Sequence, residues 1–98
     1  MIGDLLHYNS AGSKSMGIVI DFFRYEGKQT RVVSPGDTLV AIEWIRKETA
    51  PSPITPDWYH IGPQQGRDES FWPANWETKN WYNFKYFRVI SKNEKEIV

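Results

Sequence analysis

Four short segments constrain this chain more than any other feature: Gly3-Asp4-Leu5-Leu6, Gly17-Ile18-Val19-Ile20, Val40-Ala41-Ile42-Glu43-Trp44 and Phe87-Arg88-Val89-Ile90. Side chains along an extended backbone alternate between two faces, so brief runs of β-branched and aromatic residues bounded by turn residues form strands. The alternation is clearest over residues 38–45, with Val40, Ile42 and Trp44 on one face and Leu39, Ala41, Glu43 and Ile45 on the other. Residues 16–25 set Ile18, Ile20 and Phe22 against Val19, Asp21 and Phe23, and residues 2–8 set Leu6 and Tyr8 against Leu5 and His7. Several strands this short curl into a small barrel. Such a barrel has a side-chain-filled centre, so activity is expected on loops and exposed faces.

The connections carry turn chemistry. Residues 9–15 are rich in Asn, Ser and Gly and predict an exposed loop, Gly27 predicts a turn, and Pro35-Gly36 is a type II turn signal after a short extended piece at Arg31-Val32-Val33. Between Lys47 and Ser70 the character changes, because Pro51, Pro53, Pro56 and Pro63 remove backbone donors and Gly62 and Gly66 loosen the path. This predicts a long ordered insertion at about residues 47–70, with Trp58, Tyr59 and Ile61 as an apolar handle folding it back on the barrel. Residues 71–76 hold a short strand or a helical turn opened by Pro73, and Asn80 is placed to cap a turn bringing Trp81 and Phe84 together before a last strand over residues 86–91. Residues 92–98 read as a charged tail. The expectation is one domain, residues 1–98, an all-β SH3-like barrel of five to six antiparallel strands with a proline- and aromatic-rich insertion.

Composition excludes several functions. With no cysteine among 98 residues, disulfides, thiolate metal sites and thiol chemistry are unavailable, and folding in the cytosol is the natural setting. Twelve basic and twelve acidic residues cancel, which removes the broad positive field of non-specific nucleic-acid binders. The first eight residues lack a basic lead and a long apolar run, so no signal peptide or membrane anchor is expected. No stretch reaches the roughly 18 apolar residues of a spanning helix.

Catalytic constellations are weak. Asp57 lies three residues before His60, and His7 is the other histidine, but this spacing matches no ligand pattern, and two partly exposed polar residues is the plainer reading. Asp21 and Glu43 interrupt apolar strands as a conceivable acid and base, yet a solvated sheet face carries such residues routinely. Gly62-Pro63-Gln64-Gln65-Gly66-Arg67 lacks the Gly-Lys-Ser/Thr ending that cradles phosphate, and Pro53-Ile54-Thr55-Pro56 fits a PxxP pattern but equally a rigid loop. The expectation is no enzyme, no cofactor and no metal.

The unusual number is the aromatic content, 15% with five tryptophans, concentrated in the irregular half of the chain. The structural reading makes these rings a satellite core that pins the insertion to the barrel. The functional reading leaves Trp58, Tyr59, Trp72, Trp76, Trp81 and Tyr82 as contacts for a protein partner, since Trp and Tyr dominate interface energetics. A stacking platform for single-stranded nucleic acid, with Arg46, Lys47, Arg67, Lys79, Lys85 and Arg88 on phosphates, is the alternative, and neutral net charge weighs against it. An aromatic cage for methylated lysine is a further one.

The order Gly-Asp-Leu-Leu, Gly-Ile-Val-Ile, Val-Ala-Ile-Glu-Trp and an aromatic-led Arg-Val-Ile ending resembles the small SH3-like barrel proteins of tailed phages, especially T4-like phages of cyanobacteria. In that group Gly3-Asp4 opens the first strand, Gly17 begins the second, Trp44 closes the central strand and Val89-Ile90 ends the barrel. The departure is the insertion after Trp44, where relatives turn directly. The resemblance implies a non-enzymatic virion or assembly component. It would bind another phage structural subunit or a second copy of itself, in the host cytoplasm during infection or in the virion, with no membrane.

Overall fold

In the computed structural model, residues 1–56, 58–61 and 64–92 are described, with 58–61, 64, 65 and 67 as backbone alone. The order is β1 (Leu5–Tyr8), β2 (Met16–Arg24), β3 (Thr38–Arg46), β4 (Trp58–Ile61), β5 (Gln64–Arg67), a 3-10 turn (Trp76–Thr78), β6 (Trp81–Asn83), a second 3-10 turn (Phe84–Tyr86) and β7 (Phe87–Ser91). Five strands form one antiparallel sheet in the order β6-β3-β2-β1-β7, while β4 and β5 pair separately. The result is an all-β fold, one curled antiparallel sheet consistent with a small barrel, with a long insertion. The sheet curls round its core without closing, since β6 and β7 remain its two edges.

Two packed layers follow from the alternation along β3. Val40 and Ile42 join Leu6, Val19, Tyr82 and Phe87 in the barrel interior. Leu39 and Ala41 face the other way, into a second cluster with Tyr25, Val33, Trp72, Trp76 and Trp81. β3 is therefore buried on both faces over residues 39–42, which is why that stretch reads as an unbroken apolar run.

β2 serves both layers by changing phase. Val19 pairs with Ile42 and Asp21 with Ala41, so Ile20 is an extra residue with no partner on β3. A bulge of this kind inverts the alternation beyond it. Phe23, opposite Leu39, consequently packs into the aromatic layer, while Ile20 and Phe22 stay exposed. The expectation that Ile18, Ile20 and Phe22 share a face fails at this bulge.

The Gly3-Asp4 motif has a similar local cause. Gly3 N–H donates to Val19 O at 2.7 Å and Val19 N–H to Asp4 O at 3.0 Å, so two residues oppose one. Gly3 holds φ 85°, the left-handed conformation required of the first residue in a glycine bulge.

Other loops depart from expectation for identifiable reasons. Ser13 and Ser15 are buried rather than exposed, because both hydroxyls donate to Thr49 O at 2.8 Å, and the Ser15 hydroxyl accepts the Glu48 N–H at 2.7 Å. Residues 31–33 form no strand, since the Thr30 hydroxyl accepts the N–H groups of Val32 and Val33, each at 3.2 Å. The turn before β7 is capped by Asn83, not Asn80, with Asn83 Oδ1 accepting the Lys85 N–H at 3.1 Å. The insertion carries its own hairpin, β4–β5, in register from Trp58 opposite Arg67 to Ile61 opposite Gln64. No helix among the described residues is long and apolar enough to cross a membrane.

Candidate functional site

Four of the six aromatic residues expected to meet a partner lie inside. Trp72 and Trp76 are 7% and 8% exposed, and Trp81 and Tyr82 are 1% and 0%. Trp72 stacks obliquely on Phe23 at 4.8 Å, Trp81 meets Phe23 edge-on at 5.0 Å, and Trp81 Nε1–H donates to Trp76 O at 3.0 Å. Tyr82 fills the barrel, edge-on to Trp44 at 5.4 Å, with Trp44 Nε1–H donating to its hydroxyl at 3.3 Å. Their assignment as contacts is corrected accordingly: burial in two layers consumes their area, and the satellite-core reading accounts for Trp72, Trp76 and Trp81. The rings of Trp58 and Tyr59 lie outside the described residues, as do Asp57, the His60 side chain, the Gly62-Pro63 turn and residues 93–98.

A concave feature lies elsewhere, in a groove of about 400 Å³ between the β2–β3 connection and the start of the insertion. Tyr25, Thr30, Val32 and Val33 form one wall, residues 51–55 the other, and Tyr8 and Tyr86 the floor end. The wall of residues 51–55 is fixed at both ends, through Thr49 on the two serines and through Ile54 N–H, which donates to Trp81 O at 2.7 Å. The PxxP segment thus lies along the edge of β6 in an isolated bridge between Ile54 and Trp81, with Pro56 buried.

The opposite wall hangs on Asn83. Its buried amide donates to Val32 O and to Asp37 Oδ2, both at 2.9 Å. The Tyr86 hydroxyl reaches the same Val32 carbonyl at 3.3 Å, and the Tyr25 hydroxyl donates to Lys28 O at 2.6 Å. Asp37 also accepts the Ser34 N–H at 2.9 Å and lies 3.7 Å from Lys85 Nζ. These donors, Asn83 foremost, hold the Asp37 carboxyl below its ordinary range. Lys85 Nζ sits 5.4 Å over the Tyr86 ring. The groove is therefore mixed at its surface, with tyrosine, proline and valine beside the hydroxyl residues Thr30, Ser52 and Thr55, its walls tied down by hydrogen bonds, and the Lys85–Asp37 ion pair near Tyr86.

Asp21 and Glu43 do not form an acid–base pair. Asp21 is committed to Lys79 Nζ at 3.0 Å and to the Phe22 N–H at 2.8 Å, and Glu43 stands exposed opposite Ile18. Among the described residues no three His, Asp or Glu side chains converge. His7 Nδ1 and Trp72 Nε1 are buried and unpartnered there.

Sequence reasoning missed Tyr8, Val32, Tyr86 and Asn83. A usable signal was present for Asn83, an amide between Tyr82 and Phe84 in an otherwise aromatic run, where a buried polar group must serve several partners. No protein-family model, curated protein or solved structure matches the chain.

Proposed function

We propose that this chain is a non-enzymatic protein-interaction module whose groove takes an extended segment of another protein. One observation carries the reading: three tyrosines, two prolines and Val32 line an open cleft of about 400 Å³ whose walls are pre-fixed by hydrogen bonds. Tyrosine supplies large contact area at low entropic cost, and rigid aromatic-lined grooves suit peptides already extended. Preorganisation matters because ordering flexible walls on binding would consume part of the gain. The resemblance to phage barrels supplies the setting, in which another structural subunit is the partner and the protein acts as a virion or assembly component.

A photo-crosslinking residue at Val32, with one at exposed Thr78 as control, tests this in infected cells. The expected result is one dominant adduct from Val32 and none from Thr78. The purified partner then loses at least about tenfold in affinity for Val32→Lys, which buries a charge against apolar surface. Equal labelling from both positions, or retention of single-stranded oligonucleotides at low salt, would remove the reading.

A further inference from the structure

We infer that the outer edge of β7 is a second docking site, which takes an extended segment of a partner chain carrying alternating acidic and apolar residues as an added sixth strand. β7 ends the five-stranded sheet and pairs only with β1 among the described residues. The ladder fixes which groups it leaves open. Tyr8 N–H donates to Ser15 O, toward β2, and Asn9 N–H donates to Tyr86 O, toward the β7 side. Antiparallel pairing alternates, so His7 and Arg88 bond each other while Phe87 and Val89 turn their outer groups away from β1. The Phe87 N–H bonds back to Phe84 O. Val89 is left presenting both its N–H and its C=O to the outside, beside the Phe87 C=O.

Two other free edges of this sheet are covered, while β3 beyond Ala41 has no strand beside it opposite β2 among the described residues. Ile54 covers β6 through its bond to Trp81 O. Beyond Val19, β2 loses β1 as a neighbour, and there the Asp21 carboxylate takes the Phe22 N–H while Lys79 binds its other oxygen. Proteins commonly block exposed edges in such ways, because an open one recruits strands. Among the described residues none pairs with β7 on the Val89 side; Ile90 is the extra residue where the register with β1 shifts between Leu5 and Leu6, so the open stretch is Phe87–Val89, and Val89 and Ile90 are 36% and 48% exposed. An open edge with accessible apolar side chains is the geometry of strand addition, in which main-chain bonds give affinity and alternate side chains give specificity.

Charge selects the occupant. Among the described residues the charges on β7 and after it are Arg88 and Lys92, both exposed. Acidic residues facing Arg88, with apolar ones facing Val89, complement this edge. A second copy does not: pairing centred on Ile90 sets Arg88 opposite the other Lys92, and pairing centred on Val89 makes the two Arg88 side chains diagonal neighbours, both unfavourable. The site is separate from the tyrosine groove, so neither reading depends on the other.

The test is an NMR titration of the full chain with a short capped peptide alternating glutamate with valine, against a lysine-for-glutamate counterpart. Expected are shifts centred on Val89 and Ile90, slowed hydrogen exchange of the Val89 amide, and a preference for the glutamate peptide of about threefold or more. Arg88→Glu, on an exposed side chain, is expected to reverse that preference. Val89→Pro, where the N–H faces outward, is expected to keep the thermal midpoint and abolish binding. Silence at Val89 with millimolar peptide, or a preference that Arg88→Glu leaves unchanged, overturns the inference. So does concentration-dependent protection of Val89 without peptide, which would identify a second copy as the occupant.

Discussion

The Asn83 amide donates to the Asp37 carboxylate at 2.9 Å, and through the same nitrogen to the Val32 carbonyl, so one buried side chain of β6 holds the far end of the β2–β3 connection. Removing it strands several polar groups at once, and each buried group left unpaired costs about 1–3 kcal/mol. Asn83→Ala is therefore expected to destabilise by about 2–4 kcal/mol, read as a lowered urea midpoint at constant slope. A variant within about 0.5 kcal/mol of the parent would mean that the connection is held by something else.

The same contact sets a pH dependence. The Asp37 carboxyl is held below its ordinary value by Asn83, then Ser34 and Lys85, so folding favours its ionised form. The stabilisation is present above the unfolded carboxylate range, near pH 4, and is lost as pH falls through the depressed folded value. Asp37→Asn is expected to be less stable than the parent at neutral pH, with the two curves converging as pH falls from the unfolded carboxylate range through the depressed folded value. Parallel curves across that range would show that Asp37 is not the titrating contributor.

Gly17 tests the close approach of β2 to β3. A Cβ placed there would overlap Ile42 Cγ2 and stand 2.9 Å from Glu43 O and 3.3 Å from Trp44 Cα. Two of the three obstacles are backbone of the paired strand β3, so relief requires moving the sheet. Gly17→Ala is expected to cost about 2–3 kcal/mol, at the upper end of overpacking penalties, whereas Gly12→Ala, with open space around it but φ 79°, should cost about 1 kcal/mol from backbone strain. Thermal midpoints of the two variants decide this.

The barrel was legible because period two survives wherever a strand runs unbroken: β3 matches its expected faces residue by residue. β2 did not, since a single bulged residue at Ile20 inverts everything after it and leaves no mark on the composition of the run. The aromatic surplus was legible as an anomaly but not as a location. Whether a tryptophan faces in or out depends on what packs over it, and here residues 71–76 supply their own cover for Trp81 and Leu39. The groove was the least legible part, because its walls meet only through contacts between residues far apart in sequence, such as Val32 with Asn83 and Ile54 with Trp81. The buried serines read as loop residues for the same reason: their partners, Glu48 and Thr49, sit across the β1–β2 loop.

Burial turns the tryptophans into stability residues. Trp72→Ala and Trp81→Ala each remove a large ring from the second layer, and Trp81 also gives up its bond to Trp76 O. The expected cost is about 3–5 kcal/mol apiece, comparable to the whole stability of a domain this small. Circular dichroism and near-ultraviolet aromatic signals should collapse together for these variants. Folded variants with normal midpoints would return these rings to the surface as partner contacts.

Ser15 offers a way to disturb the groove without touching it. Its hydroxyl donates to Thr49 O and accepts the Glu48 N–H, while the Ser15 side chain is fully buried, so Ser15→Ala weakens one of two attachment points of residues 51–55, leaving only the Ser13 hydroxyl on Thr49 O there. The other, Ile54 on Trp81, remains. Global stability should fall by about 1–2 kcal/mol for two lost hydrogen bonds, and Glu48 should exchange its amide hydrogen faster than the parent does. If the groove binds because its walls are rigid, partner affinity should fall as well, although Ser15 lines none of it, because the loosened wall must be ordered at binding. Faster exchange at Glu48 with undiminished affinity would separate wall rigidity from recognition and place the binding energy in the tyrosines alone.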